Sequence, residues 1–144
     1  MEISDKDIYY INEYNRLVGE FPEAVYQDDS YLYFIVKNPE LGLKRLKILS
    51  ESFNKKIIIL KYSDKLEEFI KLFFNNSKIN RYDVMNVNTE KTLILFVEPK
   101  DVKFAFGNNN SKLRAARKIF KELFNLDNVV LKKDITMQGE DNGS

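Results

Sequence analysis

The sequence predicts an α+β protein of two tandem units, each ordered α-β-β-α-α-β, with a three-stranded sheet covered by helices. Three observations predict it. A strand-like apolar run, a turn with Pro, a helical stretch and a second apolar run occur in that order twice. A repeat of roughly 60 residues favours two small domains over one large domain. Apolar residues make up 44% of the 144 residues and aromatics 13%, enough for packed cores.

The first copy reads Tyr31-Leu-Tyr-Phe-Ile-Val36, Asn38-Pro39-Glu-Leu-Gly-Leu43, a helical stretch over 44–53, and Lys56-Ile-Ile-Ile-Leu60. The second reads Thr92-Leu-Ile-Leu-Phe-Val-Glu-Pro99, Asp101-Val-Lys-Phe-Ala-Phe106, Gly107-Asn108-Asn109-Asn110, a helix over 111–124, and Val129-Val130-Leu131. The polar loop has no counterpart in the first copy. Val36 to Ile57 spans 21 positions and Val97 to Val129 spans 32, so the first copy is eleven residues shorter there.

Each element has a local reason. Residues 4–18 form an amphipathic helix. Ser4 is the N-cap with Asp7 three residues on, and Ile8, Ile11, Tyr14 and Val18 share one face. Gly19 stops it. Residues 23–27 are a short strand, 28–30 a turn, and 31–37 an aromatic and β-branched strand. Asn38 caps a helix with Pro39 at its first position. Leu43, Leu46, Leu49 and Phe53 follow at helical spacing, as one merged helix or two. Residues 56–61 are a buried-type strand. Ser63-Asp64 caps a helix whose apolar face is Leu66, Phe69, Ile70 and Phe73. Residues 79–87 and 91–98 are strands around a turn at 88–90. Pro99 opens a short helix to Phe106, and 128–132 is the closing strand. The resulting domains are 1–61 and 62–133. The polar, Gly-containing stretch 134–144 is expected to be a disordered tail.

Composition limits the chemistry. With no Cys and no His there are no disulfides, thiolate-zinc sites, Cys nucleophiles or His acid–base pairs. Carboxylate-only metal sites and lysine chemistry stay open, but no ordinary nucleophile–base pair or nucleotide-phosphate loop can be assembled, so no enzyme, cofactor or metal is expected. No stretch resembles a signal peptide or a membrane span, and a soluble cytoplasmic protein is the default expectation. Net charge is +1 but is polarised. Residues 1–30 carry two bases and eight acids; residues 100–133 carry nine bases and three acids. Phosphate is therefore expected at the second copy.

The candidate site is the segment 107–121. Leu113, Ala116, Phe120 and Leu123 fall on one face of its helix, and Arg114, Arg117, Lys118 and Lys121 fall on the other. Lys112 sits in the first turn beside Gly107-Asn108-Asn109-Asn110. Unpaired N–H groups at the helix start add partial positive charge. Phe104, Phe106 and Leu113 either line a base groove or belong to the core, and the pattern favours the core. Tyr9, Tyr10 and Tyr14 lie in an acidic segment, which favours packing over base stacking. Lys44, Arg45 and Lys47 are an accessory phosphate contact or a solvated helix face. Glu67 and Glu68 diverge by about 100° on a helix and complement its N-terminus.

Three segments carry a resemblance. They are Ile8-Tyr-Tyr-Ile11 through Leu17-Val-Gly19, Tyr62-Ser-Asp64 with Glu67-Glu-Phe-Ile70, and Ala116-Arg117 through Phe124-Asn-Leu-Asp-Asn-Val-Val130. In order and spacing, residues 3–132 resemble the archaeal NusA-like transcription elongation and termination factors. These consist of two KH domains of the type II arrangement. The resemblance implies single-stranded RNA and RNA polymerase, or its elongation complex, as partners. A KH domain grips about four nucleotides with a Gly-x-x-Gly loop. Here the loop's last glycine is Asn110, and Asn tolerates left-handed backbone angles. In the first copy only Gly42 remains, which implies that this domain has lost the binding mode. The implied RNA-binding residues are Gly107, Asn108, Asn109, Asn110, Lys112, Arg114, Arg117 and Lys118. The acidic first helix, with Asp5, Asp7 and Glu13, is a candidate polymerase contact. The alternative is a protein-docking scaffold on RNA polymerase with RNA binding largely lost, which the near-zero net charge supports.

Overall fold

A computed structural model describes residues 4–135. The chain divides into two compact units between Phe73 and Phe74. Each is an α/β unit with a three-stranded mixed sheet flanked by helices, consistent with a KH-like fold.

The first unit begins with helix α1 (Asp5–Val18). Ser4 Oγ accepts the Asp7 N–H at 3.1 Å, satisfying one of the helix's orphan donors. Gly19 ends the helix at φ 94°, with its N–H donating to the Asn15 carbonyl. Strands β1 (Ala24–Gln27) and β2 (Tyr31–Val36) pair antiparallel, and β3 (Lys56–Lys61) pairs parallel to β2. Two separate helices, α2 (Pro39–Leu43) and α3 (Leu46–Phe53), provide the crossover. Asn38 precedes Pro39 but makes no side-chain cap; its backbone and side-chain N–H groups both donate to Glu20 at 3.0 Å. Tyr10 and Tyr14 from α1, Val25, Leu32, Phe34 and Val36 from the sheet, and Leu49 and Phe53 from α3 form one core. Burying each large side chain contributes about 1.5–3 kcal/mol.

Helix α4 (Leu66–Phe73) also belongs to this unit. Phe73 stacks on Tyr33 with ring centroids 5.9 Å apart. The first sheet is therefore covered on both faces. Leu32 to Val36 are all buried, so both faces of β2 carry apolar side chains that must leave water.

The second unit has sheet order β4 (Ile79–Val87), β5 (Glu90–Val97), β6 (Asn128–Lys133). Asn88 and Thr89 both take positive φ, 51° and 69°, in the two-residue hairpin between β4 and β5. After a 3₁₀ turn (Pro99–Asp101) come α5 (Val102–Phe106), the loop, and α6 (Ser111–Phe124). Leu93, Leu95 and Val97 on one face of β5 are fully buried, as are Ala116, Ile119 and Phe120 of α6. The Asp134 N–H donates to the Val97 carbonyl at 2.8 Å, and its buried carboxylate accepts from Asn80 at 3.0 Å. Asp134 thus ends the sheet, and residues 136–144 of the expected tail lie outside the described residues.

The two sheets share one register. Tyr31 to Val36 pairs with Lys56 to Lys61, and Thr92 to Val97 pairs with Asn128 to Lys133. The first strands are 61 residues apart and the second 72. All eleven extra residues fall between the strands, where α6 has 14 residues against 8 in α3. No helix among the described residues is long and apolar enough to cross a membrane.

Candidate nucleic-acid interface

The loop keeps the backbone shape its sequence suggests. Gly107 sits at φ 77°, ψ 172°, a region essentially confined to glycine. A Cβ there would lie 2.8 Å from Lys112 Cβ and 2.9 Å from the Lys112 nitrogen, so space also demands glycine. Asn109 (54°, 34°) and Asn110 (60°, 22°) are both left-handed, which Asn tolerates better than most residues. The Asn110 N–H closes a turn onto the Gly107 carbonyl at 3.2 Å. Asn110 is also the N-cap of α6 and makes no side-chain cap.

The basic residues divide into different roles. Arg114 is exposed, and its guanidinium donates to the Asn109 carbonyl, holding the loop from outside. Lys112 is buried. Its ammonium donates to Asn76 Oδ1 at 3.3 Å and lies over the Phe74 ring at 5.9 Å. Burial pushes its pKa down to about 8. Lys112 therefore anchors the loop from beneath and does not present its charge to solvent. Sequence periodicity places it beside the loop but gives no sign of its depth. Arg117 Nε donates to the Val129 carbonyl at 3.2 Å, tying α6 to β6. Lys118 pairs with Glu122 at 3.2 Å, and Lys121 pairs with Asp127. The Lys121 hydrogen bond, then the Lys91 backbone N–H, hold the Asp127 carboxyl below its usual range. The structure thus brings together Gly107, Asn108, Asn109, Asn110 and Arg114 at the loop, while Arg117 and Lys118 are engaged further along α6.

The aromatic residues also separate. Phe104 is 57% exposed, Phe106 is half-buried and Leu113 is buried. Tyr10 and Tyr14 are core, while Tyr9 is exposed with its ring edge against Phe53. The acidic first helix is less uniform than its sequence. Asp7 is buried and Glu13 is bound by Arg16 in a two-bond ion pair at 2.8 and 3.0 Å. Asp5 remains exposed. Lys44, Arg45 and Lys47 are all exposed, on a solvated segment. No group of three or more acidic side chains able to hold a metal occurs among the described residues.

Gly42, the first unit's remaining glycine, is not a loop residue. It lies within α2, where a Cβ would meet Tyr14 Oη at 2.2 Å and Ile59 Cδ1 at 2.7 Å. Its role is close packing.

No protein-family model matches the chain. Over 100 residues it is 29% identical to the probable transcription termination protein NusA of Methanocaldococcus jannaschii, covering 65% of this chain and 55% of that protein. Over 135 residues it is 22% identical to the protein of the same name from Methanococcus vannielii, covering 90% and 78%. The chain is homologous, at low identity, to archaeal NusA-like proteins. The crystal structure of APE1850 matches with a TM-score of 0.74 and 26% identity, over 90% of this chain and all of that one. The match to the first relative spans little more than half of that relative's length.

Proposed function

We propose that this protein binds single-stranded RNA during transcription elongation or termination, through the second of two type II KH-like domains. The carrying observation is the Gly107–Asn110 loop at the uncapped start of α6. Gly107 and two left-handed asparagines give it a fixed, glycine-dependent shape. Such a loop lets a sugar-phosphate backbone approach main-chain N–H groups, as in KH recognition. Arg114 is the cation placed to meet phosphate there, with Lys112 supporting the loop from below and Arg117 and Lys118 as outer contacts. Exposed Phe104 is the candidate base contact. The similarity to transcription termination proteins supports transcription as the setting, with the elongation complex as partner.

Affinity comes from few phosphate contacts, so it is modest and falls with salt. Fluorescence anisotropy with short single-stranded RNA pools at low salt tests this, comparing the native chain with Asn108→Asp/Asn109→Asp. The expected result is binding by the native chain and loss in the folded variant. Equal binding by both would remove the loop from the mechanism.

One observation favours a second reading, a docking scaffold that has given up RNA. All five bases on α6 are buried or engaged within the unit. Under that reading the native chain binds no RNA in the same experiment.

A further inference from the structure

Among the described residues, strand β4 forms one edge of the second sheet and pairs only with β5. Its outer half is bare. Every residue from Asp83 to Val87 is exposed, with Val84 at 40%, Met85 at 46% and Val87 at 42%. Alternation puts Val84 on one face and Met85 and Val87 on the other. Natural edges are blunted by charged side chains, above all Lys, by Pro, by bulges or by coverage. Residues 82–87 contain no Lys, no Pro and a single charged side chain, Asp83, and the register irregularity of β4 lies earlier, between Ile79 and Arg81.

The hairpin geometry fixes which backbone groups face outward. Val87 and Glu90 close a two-residue turn, so they form a hydrogen-bonded pair. Pairs then alternate along an antiparallel ladder. Met85–Thr92 and Asp83–Ile94 are bonded across to β5, while Tyr82, Val84 and Asn86 turn their N–H and C=O groups to the free edge.

We propose that two copies of this chain pair antiparallel through their β4 edges, with Val84 facing Val84 of the second copy. The argument for a second copy is self-complementarity. This register uses the whole regular segment, 81–87. It sets Tyr82 against Asn86, Asp83 against Met85 and Arg81 against Val87, so no like charges face each other. Centring the pair one residue earlier would put Asp83 against Asp83 at the closest cross-strand spacing, about 4.5 Å. Centring it one residue later would leave only five residues overlapping. The chain's own side chains thus select one register. β4 and β6 are opposite edges of the sheet, and Arg117 ties α6 to β6. The dimer therefore leaves the 107–110 loop open, and it stands whether or not that loop binds RNA. If it does, two loops act on one strand with raised effective concentration.

The test is sedimentation of the full chain over a concentration series, with two edge variants and one cross-link. The native chain is expected to double its apparent mass as concentration rises. Val84→Pro removes an outward N–H without touching the β4–β5 ladder, and Val84→Lys sets like charges face to face. Both are expected to stay monomeric with unchanged circular dichroism. The chain has no cysteine, so Val84→Cys provides a single reporter. The central bonded pair holds its Cα atoms about 5.5 Å apart, within disulfide reach. Val84→Cys is expected to oxidise to a dimer far faster than Asn108→Cys on the loop. A native chain that stays monomeric into the millimolar range overturns the proposal and leaves the edge to a different strand. So does a dimer that persists in Val84→Pro, or a Val84→Cys that cross-links no faster than the loop control.

Discussion

The Tyr14 hydroxyl occupies the space that a side chain on Gly42 would need, 2.2 Å from the position of its Cβ. Tyr14 is fully buried, and its hydroxyl makes no hydrogen bond among the described residues. Burial, then the nearby Glu20, push its phenol pKa well up. Gly42→Ala is therefore expected to destabilise by about 1–3 kcal/mol through overpacking. Tyr14→Phe removes a buried, unpaired hydroxyl and is expected to be neutral or stabilising. Combined with Gly42→Ala, it should recover much of the loss. Urea denaturation of the two single variants and the double variant measures the coupling. Additive effects would show that the two residues do not compete for one space.

That contact marks how far the sequence could be read. Ser4 acts through a side-chain bond three residues on, and Gly19 and Pro39 through their own backbone geometry, so the elements they bound were legible. The strand runs were legible for the same reason. The role of Gly42 was not, because it depends on a tyrosine 28 positions earlier that only the fold brings near. Lys112 hides its depth similarly. Helical periodicity places it in the first turn, but Phe74 and Asn76, which cover it, come from a distant segment. The eleven-residue deficit of the first unit was countable, and the shared strand register shows where it falls.

Gly107 should be the least replaceable residue of the loop. At φ 77°, ψ 172°, any side chain is strained by about 1–3 kcal/mol. Its Cβ would also press on the backbone nitrogen of Lys112. Gly107→Ala is expected to lower the unfolding midpoint and, under the RNA reading, to weaken binding even in the fraction still folded. Asn109→Gly occupies a left-handed position that glycine adopts freely, and should leave stability near native. Thermal melts and anisotropy on both variants check this. Equal loss in both would mean the loop backbone is not the determinant.

Lys112 makes stability depend on pH. Its folded pKa, about 8, lies below its ordinary value of 10.5, because burial disfavours the charged form. Between those values the unfolded chain binds the extra proton, so stability rises with pH across that window. The full difference is on the order of 3 kcal/mol. Tyr14 and Tyr33 act oppositely. Burial raises their folded pKa above 10.0, so their contribution is lost as pH climbs beyond that value. The expected profile rises from pH 8 and turns over near pH 10. Lys112→Met should flatten the rise and leave the fall. Urea midpoints for both proteins at half-unit pH steps decide it, and identical slopes would mean that Lys112 is not buried in solution.

The stacking of Tyr33 on Phe73 bears on where the first domain ends. A boundary after residue 61 leaves α4 out, and Tyr33 would lose the ring stacked on it, keeping only the edge contact with Tyr26. The buried rings of Phe69 and Phe73 would be lost with it. Large-to-small replacement of one buried Phe already costs about 3–5 kcal/mol, a large part of a small domain's stability. A fragment ending at residue 61 is therefore expected to be unfolded or aggregated, and one ending at residue 73 to melt cooperatively. In the full chain, Phe73→Ala should destabilise the first unit selectively. Amide exchange would show lost protection at Leu32 to Val36 with little change at Leu93 to Val97. Cooperative folding of the shorter fragment would place α4 outside the first unit's folding core.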